Sequence, residues 1–157
     1  ILPRLLAASD RTGIPLIRSG NSQIDLTYLD NVVEALRCCQ QAPDELSGRV
    51  YNITNGEPTT LIAVLEALAA QLETSLTFRR VPYGLAYGLA TAMELAAKTF
   101  SLAEPTLTQY TVGLLAFSQT LDIQAATTEL GYHPQVTLAD GIAIFSRWWK
   151  AQKEGGV

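Results

Sequence analysis

The stretch Gln23-Ile-Asp-Leu-Thr-Tyr-Leu-Asp-Asn-Val-Val-Glu-Ala35 changes its hydrophobic period halfway along. In the first half Ile24, Leu26 and Tyr28 alternate with Asp25, Thr27 and Leu29, which predicts a strand of about seven residues. In the second half Asp30 or Asn31 can cap a helix, because a short side-chain oxygen accepts a bond from an orphan N–H. Val32, Val33, Leu36 and Cys39 or Gln40 give that helix its stripe, and Pro43 lies beyond its end. A strand running straight into a helix is the unit of an α/β fold.

Working outward, residues 2–9 read as a helix with Pro3 tolerated in the first turn and Gly13 as the stop. Ile14 to Arg18 is a short strand, closed by the turn Ser19-Gly-Asn-Ser22. Downstream, Val50-Tyr-Asn-Ile53 reads as a strand, followed by the turn Asn55-Gly-Glu-Pro58. Thr59 or Thr60 opens the clearest helix, with Leu61, Val64, Leu65, Leu68 and Leu72 on one face. Leu76 to Val81 alternates as another strand. This order predicts α/β architecture with some parallel pairing.

After Pro82 the character changes. Tyr83 to Phe100 is a long helix, apolar nearly all round, broken only by Glu94 and Lys98. Thr106-Leu-Thr-Gln109 resembles a capping box and begins another helix. Thr120 to Ile123 reads as a short strand and Gln124 to Leu130 as a short helix ended by Gly131. Thr137-Leu-Ala-Asp140 caps the last helix, whose face is Leu138, Ile142, Phe145 and Trp149. No internal repeat, low-complexity tract or linker divides the chain.

Composition bounds the function. The 157 residues allow one domain, or two small ones, with a modest core. Eleven Lys and Arg against fifteen Asp and Glu give a net charge of −4, and Arg79-Arg80 is the sole adjacent basic pair. That balance argues against nucleic-acid binding through phosphate neutralisation. Cys38 and Cys39 are adjacent, so an ordinary disulfide between them is not expected. There is no zinc-type spacing, and His133, beside Pro134, is the single histidine and reads as a turn residue. Ser-His-Asp and metal-histidine chemistry are thereby disfavoured, and no metal site is expected. No leader pattern opens the sequence, so a cytoplasmic location is expected. The Asn52-Ile-Thr54 sequon reads as chance. The charge-free run from Val81 to Met93 falls short of the ~20 residues of a membrane span. The long helix is therefore expected to wall an apolar pocket or a dimer surface. Peripheral membrane contact is the weaker option, since the helix lacks a Lys/Arg-rich polar face.

Three stretches carry a resemblance. The Gln23–Ala35 segment resembles the strand-to-helix segment of extended short-chain dehydrogenases/reductases, the NAD-dependent epimerase/dehydratase family. Its Ile24, where epimerases carry arginine, is closer to the 3β-hydroxysteroid dehydrogenase and sterol-4-carboxylate 3-dehydrogenase branch. Val50-Tyr-Asn-Ile-Thr-Asn-Gly-Glu-Pro58 with Val81-Pro-Tyr83, and Leu130-Gly-Tyr-His-Pro134 through Gly141, are similar to later segments of the family, in order.

The resemblance implies a helix-rich C-terminal portion of such an enzyme, α/β with a few short strands and lacking most of the Rossmann sheet. Residues 1–157 would form the substrate-binding portion, with Val50–Ile53 belonging to the parent's Rossmann sheet. The family's glycine-rich phosphate turn and its Tyr-x-x-x-Lys pair have no counterpart here, so catalytic and cofactor-binding residues are expected outside this chain. The chain alone is expected to be inactive and to bind no cofactor, whereas the parent would use NAD or NADP.

The parent would act on a secondary alcohol or ketone of a hydrophobic, sterol-like or long-chain acyl substrate. Thr27, Tyr28, Pro82 and Tyr83 are the candidate substrate-binding residues. Core packing competes for Tyr28, solvent for Thr27, and helix capping is the simpler role of Asp30 and Asn31. Two alternatives stand beside this reading. One is a nucleotide-sugar epimerase or dehydratase with Arg79-Arg80 as the phosphate clamp; the other is a non-catalytic binding or assembly module. Exposed edges at Val50–Ile53 would also promote self-association or strand exchange.

Overall fold

A computed structural model describes residues 2–11, 13–100, 105 and 107–154. The chain runs α1 (Leu2–Arg11), β1 (Ile14–Ile17), β2 (Gln23–Ile24), α2 (Leu29–Gln41), β3 (Thr59–Thr60), α3 (Leu61–Leu72) and β4 (Phe78–Val81). It continues through α4 (Tyr83–Thr99), α5 (Gln109–Ala116), α6 (Gln124–Leu130) and α7 (Leu138–Glu154). Helices dominate, and the strands are short.

α3 organises the interior. Thr60 caps it, its hydroxyl accepting the Ala63 N–H at 3.2 Å, and Leu61, Val64, Leu65 and Leu68 are buried along one face. Burying a leucine fully is worth roughly 1.5–3 kcal/mol. That face splits its contacts between two clusters. Leu61 and Leu65 pack with Ile14 and Leu16 of β1, while Val64 and Leu68 meet Leu6 of α1 and Ile142 of α7. The expected face of α7 is the one observed, with Leu138, Phe145 and Trp149 against the second cluster.

β1 pairs with β4 in parallel, from Ile14 opposite Phe78 to Ile17 opposite Val81. The opposite face of this pair supports α4 and α5: Ile17 is buried with Ala86, Ala90, Val112 and Ala116. Small alanines at these contacts let the two helices approach the strands closely.

Several expectations give way to the structure. The seven-residue strand from Gln23 shrinks to Gln23–Ile24, antiparallel to Thr59–Thr60; beyond Ile24 no neighbouring strand is present among the described residues. Val50–Ile53 forms no strand, and Val50 is 93% exposed. The strand expected at Thr120–Ile123 is replaced by one parallel bridge between Ile24 and Gln119. The α2 stripe is inverted: Asn31, Ala35 and Cys38 are buried, whereas Leu29, Val33 and Leu36 face solvent. α2 meets α6 through Ala35, Cys38 and Ala126, where short side chains permit close approach. The capping box expected from Thr106 falls partly outside the described residues; Thr108 caps α5, accepting the Thr111 N–H at 3.1 Å.

The unpaired segment around residue 51 is fastened by side chains. Arg49 and the Tyr51 hydroxyl both donate to the same Glu129 carboxylate oxygen of α6, each at 2.7 Å. The Tyr51 hydrogen bond, and then that of Arg49, hold this carboxyl below its ordinary value of 4.5. Because the folded value is depressed, the link stabilises the fold above the unfolded-state pKa and is lost as pH falls through the folded one. Glu129→Gln is therefore expected to lower the melting temperature at neutral pH. The gap between variant and parent should close in thermal melts taken well below pH 4.5; a gap that persists there would assign the effect to packing.

Candidate functional site

The family-like segments of the sequence converge on one buried side chain. Asn31, in the first turn of α2, is 0% exposed. Its Nδ2 donates to Asn55 Oδ1 at 2.7 Å and to the Val136 carbonyl at 2.8 Å. Its Oδ1 accepts the Gln135 and Val136 N–H groups at 2.8 and 2.9 Å. Both donors and both lone pairs of the amide are thus used. Asn55 completes the junction, accepting the Tyr28 N–H at 2.9 Å and donating to the Val136 carbonyl at 3.1 Å. Nearby, the buried Tyr132 hydroxyl donates to the Thr54 carbonyl at 2.9 Å; burial pushes this phenol's pKa up.

This corrects the capping role expected for Asn31 and Asp30. The N-cap of α2 is Tyr28, which makes no side-chain cap bond, and Asp30 is an exposed acid in the first turn, where it complements the helix dipole. Neither Asn55 nor the Gln135–Val136 backbone stood out in the sequence as a partner, because those residues lie 24 and 104 or 105 positions away.

The candidate substrate residues separate into two places. Thr27 donates from Oγ1 to the Ile53 carbonyl at 3.4 Å. Tyr28 lies against the α7 backbone, where a Cβ added at Gly141 would sit 3.1 Å from its ring. Both line a cleft of about 200 Å³ with Leu26, Asn55, Leu138 and Phe145. Pro82 and Tyr83 belong elsewhere, at the head of α4. Tyr83 meets the Phe117 ring edge-on at 5.4 Å and tilts against Tyr87 at 5.7 Å. Pro82 lines a trough of about 340 Å³ with Pro15, Ile17, Val81, Leu85, Leu89 and Leu115, among others, and with Arg79 and Arg80.

Several contacts of α4, α5 and the segment after β1 escaped the sequence reading. The Arg18 guanidinium lies 5.5 Å from the centre of the Phe117 ring, a cation–π contact. Arg18 and Ser19 take φ of 51° and 63°, a left-handed backbone that costs non-glycine residues energy and tends to persist at functional turns. Glu94 accepts the Gln109 N–H at 2.7 Å, so the one acid of α4 is committed to holding α5. No Arg-Ser pair announces a left-handed turn, and no local pattern marks these contacts.

A third cavity, of about 250 Å³, lies between Leu2, Leu5, Ile24, Leu61, Leu114 and their neighbours, with Asp25 in its lining. Asp25 Oδ2 accepts the Leu121 N–H at 2.7 Å, while its buried Oδ1 has no hydrogen-bond partner among the described residues. Among the same residues no cluster of His, Cys, Asp and Glu could hold a metal ion, and no helix is long and apolar enough to cross a membrane.

No protein-family model matches the chain. Individual relatives do. The uncharacterized protein YbjS of Escherichia coli (strain K12) is 42% identical over 150 residues, covering 94% of this chain and 44% of its own length. A 2-alkyl-3-oxoalkanoate reductase of Shewanella oneidensis is 30% identical over 148 residues, covering 90% and 38%. A 3beta-hydroxysteroid-dehydrogenase/decarboxylase (isoform 2) of Arabidopsis thaliana is 32% identical over 154 residues, covering 90% and 27%. Among solved structures, a UDP-glucuronic acid 4-epimerase from Bacillus cereus in complex with NAD superposes with a TM-score of 0.63 at 18% identity, over 94% of this chain and 37% of that one.

The chain spans less than half the length of these relatives. The fold is that of the epimerase/dehydratase class of NAD-dependent enzymes. Over most of its length the chain is thus similar in sequence to part of 3β-hydroxysteroid dehydrogenases and alkyl-oxoalkanoate reductases, and in fold to part of an NAD-dependent epimerase.

Asn31→Ala would strand the Gln135 and Val136 N–H groups together, while Asn55 Oδ1 keeps only the Tyr28 N–H. Leaving one buried polar group unpaired costs about 1–3 kcal/mol, so a loss of about 2–4 kcal/mol in urea unfolding is expected. Asn31→Asp keeps the acceptor and loses the donors. A loss below about 0.5 kcal/mol for the alanine variant, the range of ordinary surface changes, would contradict the assigned role.

Proposed function

We propose that this chain is the substrate-binding portion of an NAD(P)-dependent oxidoreductase acting on a secondary alcohol or ketone of a hydrophobic, sterol-like or long-chain acyl substrate. The observation that carries this reading is the trough at the head of α4, whose lining is aliphatic apart from Arg79 and Arg80. Such a surface recognises hydrocarbon by area and offers few hydrogen-bond donors to a sugar. The names of the oxoalkanoate reductase and hydroxysteroid dehydrogenase relatives point the same way.

In this reading Pro82 contributes to the trough wall and Tyr83 sets the entry of α4 behind it, while Thr27 and Tyr28 shape the second cleft. The cofactor-binding half lies in the remainder of a longer protein, where NAD or NADP supplies hydride transfer. The exposed Leu29, Val33 and Leu36 of α2, with Val50 beside the same part of the chain, suit burial against that remainder. A nucleotide-sugar substrate is the second reading, favoured by Arg79 and Arg80 as a phosphate clamp.

The test is NADH or NADPH oxidation by the full-length protein carrying this chain, with a long-chain 3-ketone, a 3-ketosteroid and a UDP-sugar as substrates. Turnover of the ketones is expected. Pro15→Asp, which places a carboxylate in the trough, is expected to raise KM about tenfold with a smaller change in kcat, the signature of lost uniform binding. Activity on the UDP-sugar alone, or a KM insensitive to Pro15→Asp, would overturn the reading.

A further inference from the structure

The two parallel strands end side by side, with Ile17 of β1 opposite Val81 of β4. In open α/β sheets ligands bind beyond the carboxyl ends of the strands. Here that position holds Arg18 after one strand and Pro82 and Tyr83 after the other. Ile17, Val81 and Pro82 also line the trough, so Arg18 follows directly on the same apolar surface.

The backbone at Arg18 is strained. Arg18, Ser19 and Gly20 take φ of 51°, 63° and 71° in succession. Only the last is a glycine; the left-handed region costs the other two energy, because their Cβ atoms crowd the following carbonyl. The core enforces the turn. Gly20 is buried so closely that an added Cβ would lie 3.1 Å from Leu16 Cδ2 and 3.3 Å from Ile62 Cβ. Arg18 and Ser19 are exposed, so burial of their own side chains does not offset the strain. A glycine at residue 18 would meet the same φ at no steric cost. What arginine adds is a guanidinium, 5.5 Å from the centre of the Phe117 ring, which in turn meets the Tyr83 ring edge-on at 5.4 Å.

A guanidinium resting on a ring uses one face and leaves its in-plane N–H donors free. Among the described residues Arg18 has no acidic partner, whereas Arg37, Arg49 and Lys150 each have one. Among the same residues the Tyr83 hydroxyl has no hydrogen-bond partner, while that of Tyr87 donates to Gln109. Arg79 and Arg80 also bring positive charge to the trough, but from a regular strand and with no ring contact among the described residues to orient them. We propose that Arg18 is a specificity-determining residue of the trough, selecting hydrophobic ligands that end in an oxyanion, a carboxylate or a phosphate monoester, over neutral ones of the same length. The planar fork of donors matches either oxyanion, and the hydrocarbon lies along the trough. This inference rests on the reading of the trough as the seat of an apolar ligand.

The experiment is calorimetric titration of the full-length protein with decanoate, decyl phosphate and decanol, each below its aggregation limit. At least one anion is expected to bind about tenfold more tightly than the alcohol, the gain from a charge-assisted pair. Comparison of the two anions tells carboxylate from phosphate. Arg18→Gln is expected to bring the three affinities together by weakening the anions and leaving decanol unchanged. Arg18→Gly is expected to do the same and to melt no lower than the parent, since relief of strain offsets the lost ring contact. Head-group preference separates recognition from a structural role. A preference that survives both substitutions, or an equal loss of all three ligands, overturns the proposal. Failure to bind any of the three overturns it together with the substrate reading. Ketone turnover by a protein that shows no preference for the anions rejects this inference alone.

Discussion

The side-chain amide of Asn31 is the constraint on which the other parts of this fold lean. It sits inside the first turn of α2 and ties the helix to the segment after residue 53 and to the segment before α7, using every donor and acceptor it has. A buried amide of this kind is stable when completely satisfied and costly when partly so. The start of α2, the turn leading to β3, and the entry of α7 are therefore fixed together. Tyr28 and Tyr132 reinforce the same place from two sides, one through its backbone N–H to Asn55 and the other through its hydroxyl to Thr54. Hydrogen bonding here replaces the sheet that the segment lacks: Tyr51, Asn52 and Thr54 are held by side chains and by Tyr132, with no strand ladder.

The other end of the molecule is built on different physics. α4 and α5 rest on the β1–β4 pair through alanines, Val112 and Ile17, and are linked by Glu94 and by the Tyr87 hydroxyl donating to Gln109 Oε1 at 2.6 Å. Packing fixes one side of α4 and leaves the opposite side free of internal duty. Order at the Asn31 junction and exposed apolar surface at α4 thus coexist in one chain. The first holds the elements in place, and the second lies next to the trough, which Leu85 and Leu89 help to line.

Much of this was legible in the residues. α3 was clear because its leucines repeat at helical spacing and its cap is local, Thr60 to Ala63. α6 was clear because Gly131, at φ 65°, ends it. Some parallel pairing followed from the alternation of strands and helices, and β1 with β4 supplies it, although the alternation does not say which strands pair. What depends on partners distant in sequence was misread. The alternation at 23–29 is a property of the side chains, but a strand also needs a neighbour, and only Gln23 and Ile24 find one in β3.

Apolar content misled at α2. Val33 and Leu36 look like core, yet the close approach of α6 selects the shorter Ala35 and Cys38 and leaves the bulkier residues outside. Asn31 looked like a cap because capping is its commonest local use; its partners across the chain cannot be read from spacing. Thr27 and Tyr28, expected on opposite faces of a strand, line one cleft, whereas Pro82 lines another, since sequence order carries no information on which cleft each lines.

The most direct measurement is hydrogen exchange at the backbone N–H groups of Gln135 and Val136. Both lie in a stretch with no regular secondary structure, where exposed amides would exchange quickly. If the Asn31 carboxamide holds the fold together, both amides are protected and open only with the whole molecule, at the free energy of global unfolding. Exchange as fast as that of a solvent-exposed loop, in a protein whose α3 amides remain protected, would show that the junction is dispensable and that the hydrophobic clusters alone hold the fold.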